Sequence, residues 1–266
     1  MVGGMRSTSA WTVRLGDVEL TRIGLGTNRL TRGREHVALI REAVAAGVHM
    51  IDTAHTYAGG ESEETIGEAL AGGAERVVVA TKGGYAPGTG RPEALRSQIE
   101  ESLRRLRTES IDLYYLHRVD PQTPLEDSLG AIAEYRDRGA IRHVGLSQVD
   151  VDQIERGRRV VPIAAVQNHY NLSERRFDDV VDHCAAEGIV FVPYFPLRGE
   201  GGRGLAEIAE RHGATPEQIT LAWLVRRSPA TLPIPGSLSI EHVGDNLAAL
   251  EIELTDDEFD ALAQAS

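Results

Sequence analysis

Eight short apolar runs, each followed by a stretch with helical signals, constrain this chain more than any other feature. They fall at Arg22–Gly26, Val48–Asp52, Arg76–Thr81, Ile111–His117, Ile141–Ser147, Ile163–Gln167, Ile189–Tyr194 and Thr231–Ile234. Most are continuous, such as Val77-Val78-Val79-Ala80, and do not alternate. Strands buried on both faces of a parallel sheet read this way. Eight βα units within 266 residues, with no linker or shift of composition between them, predict an α/β fold of the (β/α)8 TIM-barrel type. A doubly wound open sheet is the alternative that this periodicity leaves open.

The connecting stretches carry their own punctuation. Leu95, Ile99, Leu103 and Leu106 form a helical stripe in a segment opened by Pro92. Thr123-Pro124-Leu125-Glu126 reads as a capping box ahead of a helix closed by Gly139, and Thr215-Pro216-Glu217-Gln218 and Thr255 to Glu258 repeat the device. Before the first run, residues 11–23 alternate around Gly16-Asp17, which predicts a β-hairpin placed to plug the bottom of a barrel. Residues 1–9 read as a loose tail, and 10–266 as one barrel domain.

Composition narrows the partners. A net charge of −12 repels phosphate backbones and anionic lipid, which argues against nucleic acid and membrane surfaces. No apolar run approaches 18 residues and the start lacks an apolar signal core, so the chain reads as cytoplasmic. The single cysteine, Cys184, excludes an intramolecular disulfide and a Cys-rich zinc site; in its helical context it reads as a small core residue. No dimerisation element stands out, which makes a monomer the default.

Chemistry in a barrel sits at the C-terminal ends of the strands. Here those ends carry Asp52, Lys82, His117, Ser147-Gln148, Gln167-Asn168 and Tyr194. Taken singly, Asp52 passes for a turn residue, Lys82 for an exposed strand-end lysine, His117 for a core histidine and Tyr57 for rim packing. Four such accidents on one face are harder to accept. Together they suit carbonyl reduction, which needs a hydride donor and a proton donor for the developing alkoxide. A tyrosine with a pKa of ~10 is a sluggish acid. An ammonium at Lys82 would lower the pKa of Tyr57, Asp52 would hold Lys82, and His117 would orient the substrate oxygen.

The run from Ile51 through Asp52 and Tyr57 to Ser62 resembles the signature of the aldo-keto reductases, in which an Asp-x4-Tyr motif follows the second barrel strand. The resemblance covers essentially the whole chain. It implies a catalytic tetrad of Asp52, Tyr57, Lys82 and His117, with Tyr57 as proton donor. It also implies a nicotinamide cofactor. Gly26-Thr27-Asn28, with Asp52 beside them, would lie near the nicotinamide ribose. Ser147 and Gln167 would hold the carboxamide, and Gln148 stands where the family usually has Asn. Tyr194 would stack on the nicotinamide, and Leu197 and Gly199 would pass the pyrophosphate. Ile234, Gly236, Ser237, His242 and Asn246 match the stretch for the adenosine 2′-phosphate and adenine. Strong basic residues for that phosphate are replaced by Gly236 and His242, while Ser237, Ser239 and helix-start N–H groups remain; NADPH is expected over NADH.

The densest likeness is to the bacterial branch that includes pyridoxal reductases, which makes pyridoxal a candidate among small aldehydes and ketones. Arg91, Arg118 and Arg198, near the expected mouth, could greet an anionic group but read first as solvated surface arginines. Gly199 to Gly204 spells G-x-G-x-x-G, but position 224 is Leu where a dinucleotide fold would need an acid, so the run reads as a glycine loop. No metal is expected: His55, His117 and His169 are scattered, and His143 falls at the wrong end of its strand. Two other functions stay open, a Schiff-base aldolase using Lys82 and an NADPH-binding regulatory protein.

Overall fold

Gly16 lets the chain turn back on itself at its start. Its backbone is left-handed (φ +57°), and a Cβ there would come within 2.3 Å of the His143 ring, so any other residue would be strained and would displace that ring. The computed structural model describes residues 11–73, 77–199 and 204–264. Strands β1 (Thr12–Leu15) and β2 (Val18–Thr21) pair antiparallel with Leu15 opposite Val18, so the predicted hairpin and its Gly16-Asp17 turn are present. The predicted tail 1–9 and the centre of the glycine loop, 200–203, lie outside the described residues.

A seven-stranded parallel sheet follows in strict chain order: β3 (Leu25–Gly26), β4 (Met50–Asp52), β5 (Val78–Gly83), β6 (Ile111–Leu116), β7 (Ile141–Ser147), β8 (Ile163–Gln167) and β9 (Val190–Phe191). Between the strands run α1 (Arg34–Ala45), α2 (Glu61–Leu70), α3 (Pro92–Leu106), α4 (Leu125–Asp137), α5 (Val151–Arg158) and α6 (Asp178–Glu187). After β9 come α7 (Leu205–His212), α8 (Pro216–Arg227), α9 (Ile240–Ala248) and α10 (Asp256–Ala263).

The eighth predicted strand, Thr231–Ile234, is not one. Pro233 and Pro235 have no N–H to give to a ladder, and the segment makes only isolated parallel bridges, Thr231 to Phe191 and Gly236 to Gly26. Leu232 N donates to Phe191 O (2.8 Å) on one side; Gly24 N and Gly26 N donate to Pro233 O and Pro235 O (3.0 and 3.1 Å) on the other. The segment therefore bonds to both outer strands of the sheet. The first predicted strand is also shorter than expected, because the Arg22 N–H goes to Trp11 O (2.9 Å) and extends the hairpin, while its buried guanidinium donates to Thr231 O, Val225 O and Ser228 O.

Side-chain alternation separates two cores. Along β6, Leu113 and Tyr115 join an inner cluster, whereas Tyr114 and Leu116 face the helices. Leu15, Val18 and Leu20 of the hairpin join that same inner cluster with Met50, Val78, Ala165 and Val190, closing the end where the strands begin. The predicted stripe on α3 packs into the core between helices and sheet, with Leu95 and Ile99 fully buried; each such side chain contributes ~1.5–3 kcal/mol. Thr215 and Thr255 form their predicted capping boxes. Thr123 does not: α4 starts at Leu125 with Pro124 in the cap position, so Thr123 lies one residue too early to cap it, and its hydroxyl donates to Asp120 Oδ2 (3.4 Å). Cys184 is buried in α6. No helix among the described residues is long and apolar enough to cross a membrane.

Candidate active site

Period two along the strands delivers the polar residues. Met50 and Asp52 share the inner face of β4, as do Val78, Ala80 and Lys82 on β5, so each apolar column ends in an ionisable group. Lys82 lies within β5 rather than after it and is fully buried, and Asp52 is 2% exposed. The Lys82 ammonium donates to Asp52 Oδ1 (2.5 Å) and Thr53 O (2.7 Å), with the Tyr57 hydroxyl at 3.5 Å. Its three protons thus have three acceptors. Asp52 Oδ2 accepts from Gln167 Nε2 (2.8 Å), which reaches across from β8. His117 follows β6, and its ring lies 6.1 Å from that of Tyr57, edge to face.

Tyr57 sits in a tight turn, Tyr57–Gly60, whose Ala58 and Gly59 have left-handed backbones. Arg105 on α3 anchors this loop from behind. It donates to His55 O (3.0 Å) and pairs with Glu63 (3.3 Å) and Glu101 (2.9 Å). Glu63 is fully buried and also accepts from Thr81 Oγ1 (2.6 Å); Glu101 bonds His55 Nε2 (2.7 Å). Gly60 is required twice over: φ is +101°, and a Cβ would meet the Arg105 guanidinium at 2.3 Å. The sequence motif marks Tyr57 but carries no sign of this support, which comes from a helix more than forty residues on.

The electrostatics correct one expectation. Burial pushes the Tyr57 hydroxyl above its ordinary pKa; Lys82 pulls it down, and Asp52 pushes it up again. Lys82 offsets the desolvation without overcoming it. Burial opposes charge on Lys82 as well, but the Asp52 carboxylate and Tyr57 hold its pKa above the usual lysine value. A Schiff-base lysine needs an accessible, deprotonated amine, and this one is neither. Burial, with help from Lys82 and Arg118, lowers His117 to about 2, so its imidazole is neutral. The arrangement can therefore present a protonated phenol and a neutral imidazole to one ligand atom.

These groups line a cavity of about 430 Å³. Of the residues expected to hold a cofactor, Gly26, Thr27, Asn28, Asp52, Ser147, Gln148, Gln167, Tyr194, Ile234 and Gly236 line it. Three of them are already engaged, Asp52 through both carboxylate oxygens. Gln167 gives its Nε2 to Asp52, and the Thr27 hydroxyl donates to Asp52 O (2.8 Å). Gln148 is otherwise: its backbone is left-handed (φ +57°), and its Nε2 is buried with no partner. Asn168 holds that loop by bonding both N–H and C=O of Val149 (3.1 and 2.8 Å). An unpartnered buried donor beside Ser147 suits an amide or carboxamide oxygen. The glycine backbones fit as well, since a Cβ on Gly26 would press on Ile234 O at 2.8 Å, so the wall there stays bare backbone. Tyr194 presents a ring already stacked on His169, at 5.3 Å and 13°.

The other expected contacts lie elsewhere. Leu197 and Gly199 line a neighbouring small cavity of about 160 Å³. Ser237 Oγ bonds within its own turn to Ser239, and Ser239 in turn caps α9, which carries His242 and Asn246. Sequence reasoning missed Thr56, Tyr85, Phe195 and Pro196 in the lining. Phe195 is left-handed (φ +51°), with its carbonyl held by Asn171 Nδ2 (3.0 Å). The aromatic run after β9 was its visible sign. Arg118 also lines the cavity, Arg198 stacks on Phe195 (3.6 Å), and Arg91 turns back to Gly88 O.

Comparison with known proteins identifies the family. The profile described as the aldo/keto reductase family matches residues 22–204 and 201–266. Pyridoxine 4-dehydrogenase of Escherichia coli (strain K12) is 34% identical over 280 residues, covering 96% of this chain and 98% of that protein. An uncharacterized oxidoreductase of Schizosaccharomyces pombe is 35% identical over 273 residues, with 95% and 89% covered. Among solved structures, a thermostable aldo-keto reductase in complex with the inhibitor epalrestat superposes with a TM-score of 0.89 at 34% identity, covering 96% of this chain and 99% of that one. An aldo/keto reductase from Klebsiella pneumoniae, in complex with NADP and acetate, gives 0.86 at 32% identity, with 96% and 94% covered.

Proposed function

This chain belongs to the aldo/keto reductase family, and from that premise we propose that it reduces a small aldehyde or ketone to an alcohol, with Asp52, Tyr57, Lys82 and His117 as the catalytic group. The observation that carries this is the buried Lys82 ammonium, shared between Asp52 and the Tyr57 hydroxyl at the floor of the cavity. NADPH supplies the hydride when bound. Tyr57 gives its phenolic proton to the carbonyl oxygen as negative charge develops there, and Lys82 stabilises the phenolate left behind. Neutral His117 donates a hydrogen bond that fixes the same oxygen, and Asp52 keeps Lys82 charged and aimed. Ser147 and Gln148 orient the nicotinamide carboxamide, Gly26, Asn28, Ile234 and Gly236 leave room for the ribose, and Tyr194 supports the ring. We read the sheet as a (β/α)8 barrel closed through residues 231–236.

The preference for NADPH draws support from the Klebsiella relative solved with NADP. Backbone N–H groups at the start of α9, with His242 and Asn246 on that helix, are the candidates for the 2′-phosphate and adenine. Pyridoxal is the first substrate to offer, given the Escherichia coli relative. Purified protein should consume NADPH with pyridoxal or a reactive aromatic aldehyde, followed by loss of reduced-nicotinamide absorbance. Tight NADPH binding with no turnover on any aldehyde would return the regulatory reading.

Arg105 acts on this reaction only through the loop that carries Tyr57. Arg105→Met is expected to lower kcat by ~10- to 100-fold, the effect of a misplacement of about 1 Å, with little change in NADPH affinity. Arg105→Lys should recover part of it. Steady-state kinetics and cofactor titration on variants shown to be folded by circular dichroism check this. Parallel losses in kcat and NADPH affinity would reduce Arg105 to a general stabiliser.

A further inference from the structure

Arg118 follows His117 directly and lines the same cavity. Its guanidinium lies 4.6 Å from the centroid of the Tyr85 ring, and that ring packs 4.8 Å from the His117 imidazole. The side chain is exposed, yet among the described residues it has no carboxylate partner. Other described arginines, Arg34, Arg91, Arg107 and Arg198 among them, also lack an ion pair, but of these Arg118 is the one that lines the cavity holding Tyr57 and His117. The other charges at the cavity cancel, since Asp52 neutralises Lys82. One guanidinium is therefore left uncompensated, a single ring contact from the imidazole.

We propose that Arg118 reads an anionic group on the substrate, so that the preferred substrates are aldehydes carrying a carboxylate or a phosphate. This rests on the reductase reading above. A neutral aldehyde gives this guanidinium nothing to bind, whereas a carboxylate or phosphate accepts two parallel N–H bonds from its planar edge. Stacking on Tyr85 fixes the plane beforehand, so less rotamer freedom is lost on binding. On the reading above, the phosphates of the cofactor lie on the other side of the cavity. Arg118 and Tyr85 follow β6 and β5, across the ring of strands from residues 231–236, where the cofactor stretch runs. Tyr57 and His117 hold the reacting oxygen, and Tyr85 fills the space between that point and the arginine.

The test compares aldehydes matched except for charge: 4-carboxybenzaldehyde against its methyl ester, and pyridoxal 5′-phosphate against pyridoxal. In the wild type, kcat/KM should favour the charged member of at least one pair by about tenfold or more, the worth of a charge-assisted hydrogen bond; the pair that shows it tells carboxylate from phosphate. In R118Q that ratio should fall to near one, and R118K should lie between. A wild-type ratio near one for both pairs, or an unchanged ratio in R118Q, overturns the proposal. So does a tenfold loss of NADPH affinity in R118Q, which would place the arginine at the cofactor. Calorimetric titration of the NADPH-loaded protein with 4-carboxybenzyl alcohol and with pyridoxine 5′-phosphate reads anion binding without turnover. If no aldehyde is reduced but R118Q abolishes such binding, the reductase reading fails and the anion site stands; if neither ligand binds and no charged aldehyde is preferred, the anion site fails.

Discussion

Tyr57→Phe is expected to lose about 10²- to 10⁴-fold in kcat and to bind NADPH as the wild type does. Only the hydroxyl leaves. The ring keeps its edge-to-face contact with His117 and its place 5.0 Å from the Lys82 ammonium, so the cavity wall is unchanged. Turnover and cofactor titration on the same preparation separate the possibilities. Full activity would end the assignment of Tyr57 as the acid, and a parallel loss of NADPH binding would make it a cofactor contact instead. The pH dependence has a definite sign. Tyr57 can act only while it holds its proton, and burial lifts its pKa above the ordinary value. The rate of reduction should therefore stay flat through neutral pH and fall only as pH rises through the Tyr57 pKa. His117 adds no break between about pH 5 and 8, because its imidazole has already lost its proton far below that range.

Lys82→Met should cost ~3–5 kcal/mol of stability, since Asp52 would be left buried without its cation. Turnover should vanish as well. The two losses have different causes and can be separated. Asp52→Asn combined with Lys82→Met removes both charges, so urea unfolding of the double variant should recover most of the stability while the rate stays at the level of Lys82→Met. A double variant as unstable as the single one would mean that Lys82 supports the fold through packing rather than charge. Recovery of turnover in the double variant would remove Lys82 from the chemistry altogether.

The sequence was most legible where one residue's position in a strand decides its surroundings. Continuous apolar runs revealed the parallel strands, and period two then carried Asp52, Lys82, Ser147 and Gln167 to the inner face at one end. The hairpin was legible for the same reason, with Gly16-Asp17 marking its turn. What escaped was set by partners distant in the chain. Gln167 looked free to bind a ligand, yet Asp52, 115 residues away, takes its amide. The Lys82 ammonium was expected to dominate the Tyr57 pKa, but burial, which no motif encodes, outweighs it. Arg118 resembled any surface arginine until Tyr85 was found beneath it. The apolar run at 231–234 hid a different lesson, because its prolines can sit beside strands without forming a ladder.

That proline segment also bears on how freely such a chain can change. Residues 231–236 join β9 to β3 through a few backbone bonds, and Ile234 and Gly236 of the same segment line the cavity. A substitution there alters ligand contacts and the closure of the ring at once, and few replacements can satisfy both. The helix that follows, α9, is under no such double constraint: Ile240–Ala248 contributes side chains beyond the ring and none of its closing hydrogen bonds. Substitutions on α9, where we propose the adenine and 2′-phosphate contacts, should thus be tolerated more readily than changes at the prolines and Gly236.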